Sequence, residues 1–285
     1  MKEQYSPYWL TNSFKLPHTR VEVNALCRHL VNVNPLYSTT IDFYSIFLLK
    51  YLKITYSNAD IFKQQDHIVN LQKLLSNMLH ELWVIGETFP YCELSEEKGQ
   101  WASVILQNPD YIIIKQSVIN SELEIFLRPD EKLRSFVFKK EKTDTEIENL
   151  SKISPVIIND IKNGRNILLD KFYVTHLCRK QMPYEIRGMG IIPITFSLAM
   201  QLQQVMPQSD RIYIENQIKT AIGHPETLIG INKEIWLLKI KEVVAAIINW
   251  LNTKYYQPIA KINNITQIPV VEFNYEEFSN AIENI

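Results

Sequence analysis

Four stretches set the architecture: Val84-Ile-Gly-Glu-Thr-Phe-Pro-Tyr91, Trp101-Ala-Ser-Val-Ile-Leu106, Tyr111-Ile-Ile-Ile-Lys-Gln116 and Glu122-Leu-Glu-Ile-Phe-Leu-Arg128. Leu123, Ile125 and Leu127 alternate with Glu122, Glu124 and Phe126, the period-two pattern of a half-buried strand. The connections carry Glu93–Gly99 and Asn108-Pro109-Asp110, turn-forming compositions that suit an antiparallel meander. Upstream the period is helical. Val23, Leu26, Cys27 and Leu30 share a face, Leu36–Tyr51 reads as a second helix, Lys53–Ser57 as a short strand and Asp60–Trp83 as one long amphipathic helix. Downstream come a polar loop at Lys139–Asp144, short helices at Glu146–Lys152 and Pro155–Lys162, and short strands at Ile167–Leu169 and Phe172–Cys178. Helices follow at Ile194–Val205, Ser209–Ala221 and Glu234–Lys254, then a strand at Ile268–Phe273 and a short terminal helix. The fold class is α+β: an antiparallel β region with flanking helices, then long helices. The expected division is an α+β unit over 1–190 and a helical unit over 191–285.

Composition narrows the function. Thirty basic against thirty-one acidic residues argue against a protein that coats nucleic acid. Only seven glycines are present, and neither G-x-x-x-x-G-K-[ST] nor G-x-G-x-x-G occurs, so nucleotide hydrolysis is not expected. Cys27, Cys92 and Cys178 give no disulfide framework and suit a reducing compartment. Met1–Leu10 lacks a signal-peptide layout, and Lys239, Lys241 and Glu242 interrupt the most apolar run, so no membrane span is expected. Asn149-Leu-Ser and Asn264-Ile-Thr match the glycosylation pattern and are read as chance.

No metal or catalytic cluster is evident. His176 and Cys178 share a strand face, yet a third ligand is missing, which favours a packed core pair. His67 and His80 are thirteen positions apart on no common ligand spacing, and Glu93, Glu96 and Glu97 suit a solvated turn. No G-x-S-x-G elbow presents a nucleophile. Arg179, Lys180 and Arg187 with Tyr184 between them form a weak basic cluster without a recognition helix. No cofactor is expected. The last helix has apolar residues on more than one side, so Trp236 and Trp250 are candidates for a subunit interface.

A further passage is more specific. Asn166-Ile-Leu-Leu-Asp170, Phe172-Tyr-Val-Thr-His-Leu177 and Arg179-Lys-Gln-Met-Pro-Tyr-Glu-Ile-Arg-Gly188 lead into a run of helices. Together they resemble the portal proteins of tailed bacteriophages. Gly86 and Glu87 within Trp83–Pro90, the turn Asn108-Pro109-Asp110-Tyr111, and Asn34-Pro-Leu before Ile41-Asp42 resemble further passages of that family, in the family's order. With His176, Tyr184, Arg187 and Gly188, these residues form the implied structural signature. The resemblance implies a wing-like β region and stem-like helices, with Ile268–Phe273 as a short clip and no counterpart of the family's crown. It also implies a non-enzymatic subunit of a typically dodecameric ring at one capsid vertex, assembled in the host cytoplasm and resident in the virion. Double-stranded DNA would pass through its channel, and terminase, capsid and tail or adaptor proteins would be its partners. The alternatives are a small intracellular α+β enzyme with a site near His176 and Glu185, or a virion adaptor without a channel. Arg187 and Gly188 fit a turn in which glycine frees the backbone and arginine finds an acceptor.

Overall fold

Helix α1 (Arg20–Val33) starts at Thr19, whose hydroxyl accepts the Glu22 N–H at 3.3 Å while the Glu22 carboxylate accepts the Thr19 N–H at 3.0 Å. Asn34 ends α1 and caps α2 (Pro35–Asp42), accepting the Leu36 N–H at 3.0 Å, with Pro35 filling the first helical position. The chain continues through a wider π-helical turn, Phe43–Phe47, and a 3-10 turn, Leu48–Tyr51, into β1 (Leu52–Thr55). The computed structural model describes residues 19–56, 60–95, 97–117, 122–151, 153–179, 186–202, 207–228 and 230–283.

The helix expected over Asp60–Trp83 is two helices, α3 (Asp60–Val69) and α4 (Leu71–Val84). Asn70 divides them with a left-handed backbone, φ 52°, and its side chain accepts the Lys73 N–H. Asparagine tolerates that conformation and supplies the cap, so an uninterrupted apolar period conceals an elbow.

The expected four-stranded meander is also corrected. Strands β2 (Glu87–Ser95) and β3 (Gln100–Gln107) form a hairpin, as do β4 (Ile112–Gln116) and β5 (Leu123–Leu127). The hairpins belong to separate sheets. Between them, the Asn108 side chain accepts the Asp110 N–H at 3.1 Å and starts a 3-10 turn, Pro109–Tyr111, that redirects the chain. After α5 (Glu131–Phe138), α6 (Asp144–Ser151) and α7 (Pro155–Lys162), β6 (Ile167–Leu168) adds to β5 and β7 (Leu177–Cys178) adds to β2. The sheet orders are therefore β3-β2-β7 and β4-β5-β6, all antiparallel.

The late helices are α8 (Phe196–Gln201), α9 (Gln208–Ile222) and α10 (Gly230–Trp250). A π-helical turn, Leu251–Tyr256, leads into α11 (Gln257–Ile262). Strand β8 (Val270–Phe273) then pairs with β1, and α12 (Tyr275–Glu283) follows. No helix among the described residues is long and apolar enough to cross a membrane.

The largest apolar cluster runs from Val23 to Ile282, so residues on both sides of position 190 share one core. Trp236 and Trp250 are 2% and 1% exposed within this single chain, which removes them as an outward-facing interface. The wide apolar arc of α10 is consumed internally, against α4 and β8. Among its described residues, the large apolar side chains left exposed are Ile235 and Leu238. A smaller cluster of Phe89, Ile112, Ile114, Ile125 and Val174 joins the two three-stranded sheets. A third, around Val137, Ile161 and Ile167, seats α5 and α7.

Gly223 ends α9 at φ +68°, and a Cβ there would lie 2.3 Å from the Trp236 indole. The Tyr44 hydroxyl donates to its carbonyl at 2.7 Å. Gly223→Ala therefore adds both backbone strain and overpacking, with an expected loss of roughly 2–4 kcal/mol. Urea denaturation should show a lower midpoint; an unchanged midpoint would refute the tight seat of Trp236.

Candidate functional site

The buried polar centre of the molecule is Glu87, the first residue of β2, with a side chain 0% exposed. Arg187 donates from Nε to both carboxylate oxygens, at 2.9 and 3.0 Å, and from Nη2 to Oε1. Arg20 Nη2 donates to Oε1 at 3.2 Å, and His176 Nε2 lies 3.2 Å from Oε2. Burial alone would push this carboxyl upward. The His176 hydrogen bond and the Arg187 and Arg20 charges overcome that and hold it at about 2.

Each partner is fixed by further bonds. Arg187 Nη1 donates to the Ile112 carbonyl at 3.0 Å and Nη2 to the Pro109 carbonyl at 3.2 Å, which ties the Asn108–Tyr111 turn to Glu87. Arg20 Nη2 also reaches the carbonyls of Ile85 at 2.7 Å and Gly188 at 2.8 Å. His176 stacks on Phe89, centroids 4.8 Å apart and planes 6° from parallel. Beyond the turn, Asp110 accepts Asn24 at 2.7 Å and Arg28 at 2.8 Å, one on each carboxylate oxygen. Arg128 donates to the Asp110 carbonyl at 2.9 Å and lies over the Tyr111 ring.

The backbone beside Glu87 is equally constrained. Gly86 has φ +92°, and the 188–190 segment passes against it. A Cβ on Gly188 would fall 2.0 Å from the Gly86 carbonyl oxygen, and one on Gly190 would fall 2.1 Å from that of Val84. Gly188 is thus required by the approach of two backbones, and its φ is not in the left-handed region, which corrects the expectation of a conformationally freed turn. Hydrogen bonds from Arg179 N to Gly86 O at 2.7 Å, Met189 N to Arg179 O at 3.0 Å and Ile191 N to Trp83 O at 2.9 Å close the arrangement.

The signature residues Gly86, Glu87, Asn108, Pro109, Asp110, Tyr111, His176, Arg187 and Gly188 therefore gather in one region. Tyr184 lies outside the described residues, as do Glu96, Lys180 and Glu185. Of His176 and Cys178, read as a packed core pair, His176 packs on Phe89 with its ring nitrogen at Glu87, while Cys178 sits half-buried opposite Glu87 in the strand pairing. The basic cluster also turns inward. Arg187 is spent on Glu87, and Arg179 is buried over the Trp83 ring at 4.8 Å, with Nη1 donating to the Met189 carbonyl at 3.0 Å. Burial lowers Arg179 to about 10.

Sequence reading missed Arg20, Asn24 and Arg28, and placed Arg179 in a basic cluster without showing its burial over Trp83. A signal for the first existed: Arg20 falls in line with Val23, Cys27 and Leu30, a charge on the apolar stripe of a capped helix.

The chemistry available here is limited. An ionised carboxylate saturated by two guanidinium groups and an imidazole is a poor proton acceptor. Burial pushes the Cys27 and Cys92 thiols up to about 12, which removes them as nucleophiles. No group of three or more metal-ligating side chains occurs among the described residues.

No family model and no curated protein matches this chain. Among solved structures, it is similar to an HK97-family phage portal protein from Corynebacterium diphtheriae. That likeness covers 90% of this chain and 97% of the other, at 11% identity and a TM-score of 0.37.

Two predictions follow from the geometry. Glu87→Gln leaves Arg20 and Arg187 facing a neutral amide and is expected to cost about 3–5 kcal/mol. Because Glu87 is held at about 2 against an ordinary 4.5, its contribution is fully present above pH 4.5 and is lost as pH falls toward 2. Denaturation midpoints measured across that window should fall more steeply for the native chain than for Glu87→Gln; parallel profiles would contradict the assignment. Separately, Gly188→Ala forces the 188–190 segment away from Gly86 and should cost at least as much as ordinary core overpacking, about 1–3 kcal/mol. A Gly188→Ala chain as stable as the native one would show that the two backbones are not in contact.

Proposed function

We propose that this chain is a portal subunit: a structural protein that assembles with copies of itself into a ring at one capsid vertex, through which double-stranded DNA is packaged and ejected. The ring would dock the terminase motor during packaging and tail or adaptor proteins afterwards, placing the protein in the virion. The observation that carries the reading is the convergence on Glu87. Gly86-Glu87, Asn108–Tyr111 and His176 with Arg187-Gly188 resemble portal passages by their linear order, and a resemblance in order does not require the stretches to touch. Here Arg187 holds Glu87 and the Pro109 carbonyl together, across sequence separations of 100 and 78 residues.

The chemistry of that centre fits a structural role. Its charges are dry, mutually compensated and locked to backbone carbonyls, an arrangement that fixes geometry and leaves no group to exchange protons with a substrate. A near-neutral chain also suits a channel in which a duplex must slide, because each Lys or Arg gripping a phosphate adds counterion-release affinity.

Particle mass is the decisive measurement. Light scattering and negative-stain imaging of the purified chain should show a large closed ring with a central opening. A monomer or small oligomer across a range of concentration and salt would sink the proposal. A closed ring with no opening that admits duplex DNA would favour an adaptor.

A further inference from the structure

We propose that the cleft between β1 and the α3–α4 elbow is a binding site for an aliphatic cation, an alkylammonium group whose carbon chain lies on leucines and whose charge meets Asp66. The elbow at Asn70 turns α4 away from α3, and β1 bridges the opening. The cleft between them has a volume of about 540 Å³. Leu52 and Ile54 on one side and Leu71 and Leu75 on the other give it apolar wall, and His67, Asn70 and Gln72 add polar lining. Asp66, in the last turn of α3, and Tyr56, just after β1, supply polar groups.

The Asp66 carboxylate is unevenly solvated. Its Oδ2 accepts hydroxyls from both Tyr56 and Tyr256, the latter at 2.7 Å. Its Oδ1 is buried, and the Tyr255 hydroxyl is a third neutral group at the carboxylate. No Lys or Arg forms an ion pair with it among the described residues, in contrast to Glu87, which has two guanidinium groups. Burial raises Asp66 above the ordinary carboxylate range, the sign of a carboxylate short of compensating charge. A cationic donor is the group that would compensate it, since a charge-assisted hydrogen bond supplies both the proton and the opposite charge.

The aromatic side of the cleft has the same preference. The Tyr56 ring draws the Lys63 ammonium to 5.8 Å from its centroid. Apolar walls beside a carboxylate and a tyrosine ring fit an amphipathic cation, with methylenes against the leucines and the charged end toward Asp66. A bare metal ion would leave the apolar walls unused, and an anion would meet Asp66 unfavourably. The ligand chemistry has two sources, a free alkylamine or polyamine and a lysine side chain presented by another protein.

The test titrates the full chain with hexylammonium, with hexanol as an uncharged isostere and with Nα-acetyl-lysine N-methylamide, followed by NMR. Hexylammonium should saturate the site and bind about tenfold more tightly than hexanol, the ratio for one charge-assisted contact. Asp66→Asn should abolish that ratio while circular dichroism stays native. Gln72 lines the cleft and is exposed, so Gln72→Trp should block binding without touching the carboxylate. Tighter binding of the blocked lysine than of hexylammonium assigns a protein side chain as the source; the reverse assigns a free amine. Equal affinity for hexylammonium and hexanol, no saturation, or full binding by Gln72→Trp overturns the proposal, the last even where Asp66→Asn fails to fold.

Discussion

Glu87 is a charged carboxylate from which water is excluded, and the surrounding chain is arranged to replace that water. Removing a carboxylate from solvent costs several kcal/mol unless charge and hydrogen bonds replace the hydration shell. Here the replacement comes from Arg20 at the start of α1, His176 ahead of β7 and Arg187 beyond it. Each of these in turn must satisfy its remaining donors or ring face. Arg20 does so on the Ile85 and Gly188 carbonyls, Arg187 on Pro109 and Ile112, and His176 on the ring of Phe89. One buried charge therefore fixes the relative position of α1, both three-stranded sheets and the glycine-bearing 188–190 segment. Such a network gives little net stability over an apolar replacement, but it penalises any arrangement in which a partner is missing.

The glycines extend that constraint to the late helices. With no Cβ on Gly86, Gly188 or Gly190, the 188–190 backbone lies flush against the end of α4 and the start of β2. This places Arg179 over Trp83, which stacks on Tyr44 at 4.5 Å; Tyr44 stacks on Trp236 at 5.6 Å, and the Lys239 ammonium lies 3.8 Å from the Trp236 centroid. A column of three aromatic rings with a cation at each end thus connects the charged centre to α10. Stacked and edge-on aromatic pairs contribute about 0.5–1.5 kcal/mol each beyond burial, and desolvated cation–π contacts about as much. The column also explains why the two sides of position 190 share a core: the rings come from both.

The two acidic sites contrast in setting. Glu87 is compensated by fixed charges and has no valence left for a ligand. Asp66 leans on tyrosine hydroxyls, has no fixed cation as a partner among the described residues and borders a cleft.

Much of this was legible in the residues themselves. The helical stripe from Val23 to Leu30, the period-two strands, the Asn108-Pro109 turn and the absence of nucleotide loops are local properties, because apolar periodicity, pleat alternation and turn chemistry depend on neighbours a few positions away. The sequence also marked Glu87, Arg187 and Gly188 as residues to watch. What it could not show is that Arg187 belongs to Glu87, that Arg20 completes the pair, or that Gly188 serves a backbone contact with Gly86 and not a left-handed turn. The split of one expected meander into two sheets, the elbow at Asn70 and the inward burial of Trp236 and Trp250 were likewise invisible. Periodicity records which face of an element is apolar but not which element covers it. Pairing, burial and charge compensation are properties of segments brought together from distant positions, and only the tertiary structure decides them.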